Sequence, residues 1–425
     1  MKKKVTTTAM VAMALVLASC STTKKAANDS VAMGDMEISR NDGLVDPGYL
    51  ILSDAQRQLV SLNNQFALKL FGQVSDMGSK VVSPMSVTYL MAMLANGADG
   101  VTKQEILKTI GAENMPVEEM NAFYHYLMAL FQKEDPSTAL NVANYIAVNK
   151  NYKLKAPFVA TVQDNYQAGV ESLDFQKTST LSHINGWCKK QTDGMIPSII
   201  EEVDASAVSY IMNAIYFNGT WKDKFDKRDT QLERFQGYTR DVKRAQMMHR
   251  SDEYDYFSND TYSAVEMPYG NGSFSMMVLL PNADKSIDEM LKQVTVDGLR
   301  EMRSQKMENC VVDLKLPRFS TALSLPLNDV ISKLGAPTMF TGSADFSKFA
   351  DGNLAISKML QKAKIEVSEE GTKAAAVTIG MVAMTALRPE PRHVEFHANR
   401  PFVYLITERS TGAILFMGQF TGDSL

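Results

Sequence analysis

Apolar residues recur at helical spacing through most of the first half of the chain. Six segments have this pattern: residues 54–73, 86–96, 103–110, 117–132, 156–165 and 181–191. Ser53 precedes the first of them and belongs to a residue type favoured at helix N-caps. Two shorter runs between the helices, 141–148 and 169–173, have the composition of strands. We therefore predict six helices and two strands in this half.

Strand patterns dominate the second half. Residues 208–217 are apolar almost throughout, which fits a strand covered on both faces. Further strands are predicted at 242–248, 254–257, 263–267, 274–280, 311–316, 362–367, 402–407 and 415–419. Gly270 and Gly272 lie between two of these strands and predict a hairpin turn. Helices first and strands later indicate an α+β fold, not an alternating α/β fold.

One segment near the C-terminus is neither an ordinary strand nor an ordinary loop. After Glu369 and Glu370, mostly small uncharged residues run from Gly371 until Pro389, without an intervening proline or aromatic residue. If this segment were extended, one face would carry the small or uncharged residues Thr372, Ala374, Ala376, Thr378, Gly380 and Val382. The charged Lys373 would fall on the other face. A loop whose pattern already fits a buried strand indicates a segment that changes state.

Composition limits the possible function classes. The chain has 425 residues, of which 45% are hydrophobic and 22% charged, with a net charge of −4. This is the profile of a globular protein with ample core material, and no linker after residue 50 divides it. Without a basic stripe, nucleic acid is not an expected partner.

The N-terminus has the character of a targeting segment. Lys2, Lys3 and Lys4 precede an apolar stretch at 9–18, and residues 17–20 (LASC) resemble a bacterial lipobox. We predict a lipoprotein signal peptide at 1–19, a lipidated Cys20 with a flexible tether at 20–47, and a single domain at 48–425. An ordinary signal peptide with an incidental cysteine and an uncleaved anchor are the alternatives. Ser21 after the cysteine favours an exported lipoprotein of the outer membrane, on the cell surface or the periplasmic face.

The sequence offers no residue for a catalytic role. It lacks a Gly-x-Ser-x-Gly elbow, a His-Glu-x-x-His pair, a P-loop and paired metal-binding cysteines. His393 and His397 lie in a segment predicted to be extended, which disfavours a shared metal site. Cys188 and Cys310 are predicted to be free thiols rather than a disulfide. We therefore predict a protein that is not an enzyme and has no cofactor or metal; a hydrolase of unrecognised type is the least favoured hypothesis.

Several segments together resemble one family, the serpins. They are residues 82–87 (VSPMSV), 213–221 (NAIYFNGTW), 340–347 (FTGSADFS), 369–378 (EEGTKAAAVT), and 394–402 (VEFHANRPF) with 415–418 (LFMG). They occur in the family's order and extend the resemblance from about residue 50 to the end of the chain. The resemblance implies a serpin fold with three β-sheets, eight or nine helices and an exposed C-terminal reactive-centre loop at about 369–392.

The same resemblance implies inhibition of serine-type endopeptidases by suicide-substrate trapping. A protease would form a covalent acyl-enzyme with the loop, and the cleaved loop would insert into the central sheet. The hinge of this loop comprises Glu369, Glu370, Gly371, Thr372, Lys373, Ala374, Ala375 and Ala376. Neither Thr372 nor Ala376 is charged or a proline, which favours inhibition over a non-inhibitory binding module, the alternative. The expected partners are serine proteases, with cysteine proteases as a further candidate class, and the expected state is a monomer.

Loop length places the reactive bond only to within a few residues. Fifteen residues counted from Gly371 end at Thr385, so the bond is predicted between Thr385 and Ala386, with Met384, Leu387 and Arg388 as alternatives. Threonine or methionine before the bond fits an elastase-like or subtilisin-like target. Cleavage after Leu387 would fit a chymotrypsin-like protease. Cleavage after Arg388 would fit a trypsin-like one, but it is less favoured because it lengthens the strand that must insert.

Supporting positions follow from the resemblance residue by residue. Ser83, Ser86 and Asn213 correspond to a polar cluster under the middle of the central sheet, and Trp221 to the aromatic residue where that sheet opens. Arg318 and Glu369 correspond to an ion pair beside this opening; ordinary packing is the alternative for each position. Gln361 stands where the family usually has a histidine. A glutamine can replace the hydrogen bonds of that histidine, but it cannot bind a proton as the imidazole does near neutral pH.

Overall fold

The computed structural model describes residues 51–372 and 390–425, which all belong to one compact unit. These residues form nine α-helices: α1 (Asp54–Val74), α2 (Pro84–Gly97), α3 (Gly100–Thr109), α4 (Val117–Phe131), α5 (Ala156–Tyr166), α6 (Ser179–Gln191), α7 (Ile287–Leu291), α8 (Val296–Glu301) and α9 (Asn328–Leu334). The first six match the predicted helices to within a few residues. The last three are short, and the apolar pattern did not predict them.

The described residues also contain fifteen strands. They are β1 (Lys80–Val82), β2 (Thr138–Asn149), β3 (Gly169–Leu173), β4 (Ser209–Thr220), β5 (Gln231–Gln236), β6 (Val242–Ser258), β7 (Tyr262–Pro268), β8 (Phe274–Pro281), β9 (Glu308–Pro317), β10 (Phe319–Pro326), β11 (Lys358–Ser368), β12 (Gly371–Thr372), β13 (His393–His397), β14 (Phe402–Glu408) and β15 (Ile414–Phe420). Helices dominate the first half and strands the second, so the predicted α+β class is confirmed.

Local sequence explains where the helices begin. The Ser53 hydroxyl accepts a hydrogen bond from the Gln56 amide (3.2 Å), and the Gln56 side chain accepts one from the Ser53 amide (2.9 Å). This capping box satisfies two amides that the helix itself leaves without partners. Ser83 caps α2 in the same position, and Pro84 follows as its first residue. Nearly every residue of α2 is buried, which makes this helix the centre of the core.

Six strands form the sheet that we call the central sheet, in the order β10, β11, β12, β4, β2, β3. β11 runs parallel to β4, and the two are paired directly from Lys358↔Tyr210 to Lys364↔Tyr216. Beyond that point they separate, and β12 lies between them. All residues of β4 except Asn218 are buried, as expected for a strand covered on both faces.

The other nine strands form a second sheet, in the order β1, β15, β14, β8, β7, β6, β9, β13, with β5 paired to β6. The long strand β6 joins two portions of this sheet, because it pairs with β7 near its end and with β5 near its start. The strands predicted separately at 242–248 and 254–257 are therefore wrong as two elements, since they are one continuous strand. In the described residues, hydrogen bonds thus join the strands into two sheets rather than the three that the resemblance implied, because β6 links two portions into the larger one.

Candidate functional site at the hinge of the central sheet

The hinge residues Gly371 and Thr372 already form a strand in the central sheet. In β12, Thr372 pairs antiparallel with Val367 of β11 on one side and with Gly219 of β4 on the other. β11 and β4 are therefore held apart at this end, which we call the hinge end, while they remain paired along residues 358–364 and 210–216. The chain at the hinge has the position and the hydrogen bonding of the first two residues of an additional strand.

Gly371 has a backbone conformation that only glycine adopts readily. Its φ is +137°. A Cβ added at this position would lie 2.1 Å from the Gly219 carbonyl oxygen and 2.8 Å from the Trp221 amide nitrogen. Because these atoms are backbone, they cannot move aside as a flexible side chain would. The tight turn from β11 into β12 therefore depends on glycine here.

Thr372 is fully buried, and its hydroxyl contacts the side chain of a tyrosine that directly follows β7. The Tyr269 hydroxyl lies 2.7 Å from Thr372 Oγ1. Burial raises the pKa of Tyr269, so its hydroxyl stays protonated. The Tyr269 ring stacks on Trp221, with ring centroids 4.3 Å apart and planes within 9°. Trp221 Nε1 in turn donates to the Ser368 carbonyl oxygen (2.9 Å). Two aromatic side chains thus join the turn of the hinge to the nine-stranded sheet.

The ion pair expected between Arg318 and Glu369 is present at the same turn. Arg318 Nε lies 2.6 and 2.8 Å from the two carboxylate oxygens of Glu369, and the Thr230 hydroxyl donates to the first of them (2.5 Å). Burial would raise the pKa of Glu369, but the hydrogen bonds from Arg318 and Thr230 outweigh it and hold that pKa below its usual range. Glu369 is 1% exposed, so this carboxylate depends on its partners.

A second ion pair holds Glu370. Lys224 Nζ and Lys227 Nζ lie 2.9 and 3.1 Å from the Glu370 carboxylate oxygens. The hydrogen bonds from Lys224 and then Lys227 lower the pKa of Glu370. The sequence analysis did not identify these lysines, Thr230 or Tyr269. They lie far from the hinge along the chain, and only the pairing of the strands brings them to it.

The predicted polar cluster lies under the parallel pair of β11 and β4. Gln361 accepts from the Ser83 amide (2.9 Å) and donates to the Ser83 carbonyl (2.8 Å). It also lies beside Asn213, 3.5 Å away, and Asn213 donates to Asn144 (2.9 Å), a member that the sequence analysis missed. Ser83 Oγ donates to Ser86 Oγ at 3.1 Å. The named side chains of this cluster are amides and hydroxyls, which do not gain or lose a proton near neutral pH, so a change of pH there does not alter their hydrogen bonds.

Other predicted residues lie at defined places or outside the described residues. Cys188 and Cys310 are both buried free thiols, and burial raises the pKa of Cys188 to about 12. His397 lies in β13 and its Nε2 is 3.1 Å from Asp313, which also contacts His249 (2.5 Å). Cys20, Lys373 to Ala376 and the reactive-bond positions Met384, Thr385, Ala386, Leu387 and Arg388 all fall outside the described residues.

Within residues 51–372 and 390–425, no three His, Cys, Asp or Glu side chains are grouped so that they could hold a metal ion. A search of the same part of the chain for a helix of the length and apolarity needed to cross a membrane found none. The domain boundaries predicted at residues 19 and 47 lie outside this part of the chain and stay predictions.

Comparison with known proteins gives the family. The family model described as "Serpin (serine protease inhibitor)" matches residues 61–422. The chain belongs to the serpin family. Leukocyte elastase inhibitor A of Rattus norvegicus is 35% identical to this serpin over 378 residues, covering 85% of this chain and 98% of the relative. The leukocyte elastase inhibitor of Homo sapiens is also 35% identical, over 380 residues that cover 86% and 99% of the two chains.

Solved structures show the same fold. The native state of tengpin, a thermophilic serpin, superposes on this serpin with a TM-score of 0.79 at 28% identity, covering 88% of this chain and 96% of tengpin. Human thyroxine-binding globulin in complex with thyroxine gives a TM-score of 0.78 at 26% identity, covering 86% of this chain and 98% of the globulin. The predicted serpin fold is therefore confirmed.

Proposed function

We propose that this serpin inhibits serine proteases as a suicide substrate whose cleaved loop inserts into the central sheet. One observation carries the proposal: Gly371 and Thr372 already occupy the place of a new strand between β11 and β4. The residues that follow, Lys373 to Ala376, are small apart from one lysine. A hinge that has begun to pair in the sheet is prepared to continue as a strand.

The chemistry is supplied by the protease. Its serine hydroxyl attacks the carbonyl carbon before the reactive bond, an ester to the inhibitor forms, and the peptide bond breaks. The proton of the serine passes through the protease's own histidine to the new amino terminus on the C-terminal side. The loop on the N-terminal side is then free at one end, with the protease attached through the ester.

Insertion supplies the trap. About 14 residues in β conformation span roughly 45 Å, so full insertion would carry the bound protease the length of the sheet. For this to happen, β11 and β4 must separate along residues 358–364 and 210–216. The hydrogen bond from Gln361 Nε2 to Asn213 Oδ1 (3.5 Å) crosses this seam, so the polar cluster must rearrange as the new strand enters. Neither residue carries a charge, and exchange of hydrogen-bond partners is therefore sufficient.

We propose an elastase-like or subtilisin-like target and a reactive bond between Thr385 and Ala386. Two leukocyte elastase inhibitors, each 35% identical over most of both chains, support the first choice. Bonds after Met384, Leu387 or Arg388 remain the alternatives: Met384 fits the same elastase-like or subtilisin-like target, Leu387 a chymotrypsin-like protease and Arg388 a trypsin-like one. Cysteine proteases are a further class to test, because they also form an acyl-enzyme.

The test is incubation of a chain beginning at about residue 46 with elastase-, subtilisin-, trypsin- and chymotrypsin-like enzymes, followed by denaturing electrophoresis. A band of summed mass supports trapping, and mass spectrometry of the released C-terminal peptide identifies the bond. Loop cleavage without such a band in every mixture would refute inhibition. It would favour the second candidate, a binding module, for which the similar structure of thyroxine-binding globulin in complex with thyroxine is the supporting observation.

We also propose that Cys20 is lipidated and that the protein is an outer-membrane lipoprotein and a monomer. The support is the sequence LASC at 17–20 after a basic start and an apolar stretch. Expression in a bacterium should place the full chain in the membrane fraction, with a mass increase at the peptide that begins with Cys20. The substitution Cys20→Ser should abolish that increase; an unmodified Cys20 in the full chain would refute lipidation.

A further inference from the structure

Among the described hinge residues 369–372, Thr372 makes the one fully buried side-chain hydrogen bond across to the nine-stranded sheet. Backbone pairing holds Gly371 and Thr372 between β11 and β4, and ion pairs hold Glu369 and Glu370 outside the sheet. The contact between Tyr269 and Thr372 (2.7 Å) is different, because both hydroxyls are buried and Tyr269 is not part of the central sheet. If the hinge left the sheet, Tyr269 would lose this partner.

Tyr269 cannot follow a hinge that moves. Its ring is stacked on Trp221 and lies edge-on to Phe217, with centroids 5.0 Å apart. Its backbone amide donates to the Phe274 carbonyl (2.8 Å), and Tyr269 forms a bridge with Trp221. A Cβ added at Gly219 would come within 2.9 Å of the ring, so the ring packs closely on β4. Its hydroxyl is therefore a fixed anchor that meets Thr372 only when the hinge is docked.

We propose that Tyr269 is a positioning residue that keeps the hinge docked and thereby raises the fraction of protease encounters that end in trapping. This inference rests on the proposed inhibitory function and adds a residue outside the loop that controls it. Tyr269 contacts neither the protease nor the reactive bond; it acts through Thr372.

The docked state matters because insertion competes with deacylation. With Gly371 and Thr372 in place, the sheet is already open at the hinge end, and an inserting loop would only have to extend an existing strand. A hinge that starts outside the sheet must first open it, which delays the trap while the ester can still be hydrolysed. Loss of the Tyr269 hydroxyl should therefore shift the outcome from trapped protease to cleaved inhibitor. The same substitution should leave the formation of the acyl-enzyme itself intact.

The decisive variant is Tyr269→Phe, which removes the hydroxyl and keeps the ring on Trp221. We expect the ratio of chain cleaved as substrate to chain trapped to rise about fivefold, the factor that corresponds to one net hydrogen bond. Tyr124→Phe is the matched control, because Tyr124 is also fully buried and donates to Asn63 (3.0 Å) far from the hinge. It should lose comparable stability without a change in this ratio. Equal ratios in Tyr269→Phe and the unmodified chain would overturn the inference.

A mutant cycle separates positioning from general destabilisation. Thr372→Val removes the other hydroxyl and keeps a β-branched shape that fits the sheet. If both hydroxyls act only by forming their shared hydrogen bond, removing either one loses the whole effect. The double variant should then show the same ratio of cleaved to trapped chain as either single variant, within about twofold. Fully additive effects would mean that Tyr269 acts elsewhere, and would overturn the inference.

Hydrogen exchange of the unreacted protein gives a readout that does not depend on inhibition. A peptide containing residues 369–372 should be protected in the unmodified chain and in Tyr124→Phe, and should exchange about fivefold faster in Tyr269→Phe. Loop-like exchange in the unmodified chain would refute docking even if proteases are trapped. If no protease is trapped, the inhibitory function fails, and the exchange data still decide whether Tyr269 holds the hinge.

Discussion

Replacing Gly371 by alanine should convert this serpin from an inhibitor into a substrate. At φ +137° an L-residue is strained, at a cost of about 2 kcal/mol. The added Cβ would also meet the Gly219 carbonyl oxygen at 2.1 Å and the Thr220 Cα at 2.7 Å, and shifting this backbone costs at least about 1 kcal/mol more. The loop must pass through this turn to insert, so the barrier to insertion should rise by about 3 kcal/mol. That corresponds to roughly a hundredfold slower insertion.

The core away from the hinge should be little affected by this substitution, because Gly371 lies at the end of the central sheet. We therefore expect Gly371→Ala to fold, to lose about 1 kcal/mol of stability with the hydrogen bond between Tyr269 and Thr372, and to be cleaved at the same loop bond. In denaturing electrophoresis with a protease that the unmodified chain traps, the covalent band should fall by about two orders of magnitude relative to cleaved inhibitor.

Gly72→Ala is the matched control. Gly72 lies in α1, and no heavy atom lies within 4 Å of an added Cβ. This variant should trap protease normally and gain up to about 1 kcal/mol of stability from the better helix former. If Gly371→Ala also trapped protease as efficiently as the unmodified chain, the turn observed at the hinge would have no part in insertion, and the reasoning would be wrong.

Three further predictions concern the hinge end and the seam. Because hydrogen bonds from Arg318 and Thr230 hold the pKa of Glu369 below its usual 4.5, its ion pair contributes stability above pH 4.5 that is lost as pH falls through the lowered pKa. Glu369→Gln should therefore flatten the fall of the unfolding midpoint on acidification below pH 4.5. Trp221→Phe removes the bond to the Ser368 carbonyl and part of a buried ring, so urea unfolding should show a loss of about 2 kcal/mol. Asn213→Ala leaves the buried Gln361 amide short of a partner, and should cost about 2 kcal/mol in the same assay.

Local signals made the helices predictable. The capping box of Ser53 and Gln56 lies within four consecutive residues, and the predicted helix 54–73 ends one residue before the observed Asp54–Val74. The strands near β6 were harder. A polar run at residues 249–253 (HRSDE) looked like a break between two strands, yet all five residues pair with β9. Backbone pairing with a neighbouring strand overrode the local composition there.

In the candidate site, too, the local pattern was predictable and the contacts between distant residues were not. The period-two pattern after Glu370 predicted a segment able to become a strand, and the structure places its first two residues in the sheet. The partners of the hinge were not predictable in this way. Tyr269 lies 103 positions before Thr372, and Lys224 lies 146 positions before Glu370. No spacing rule joins residues so far apart, because the sheet topology alone brings them into contact.

Determination of the structure of the loop-cleaved chain tests the central claim most directly. The intact chain would be cut within the loop by a protease that it does not trap, and the product crystallised. The account predicts that residues from 373 onward continue β12 as a full strand between β11 and β4, which breaks the direct pairing of Gln361 with Asn213. A cleaved structure in which β11 and β4 are still paired from Lys358↔Tyr210 to Lys364↔Tyr216 would contradict it.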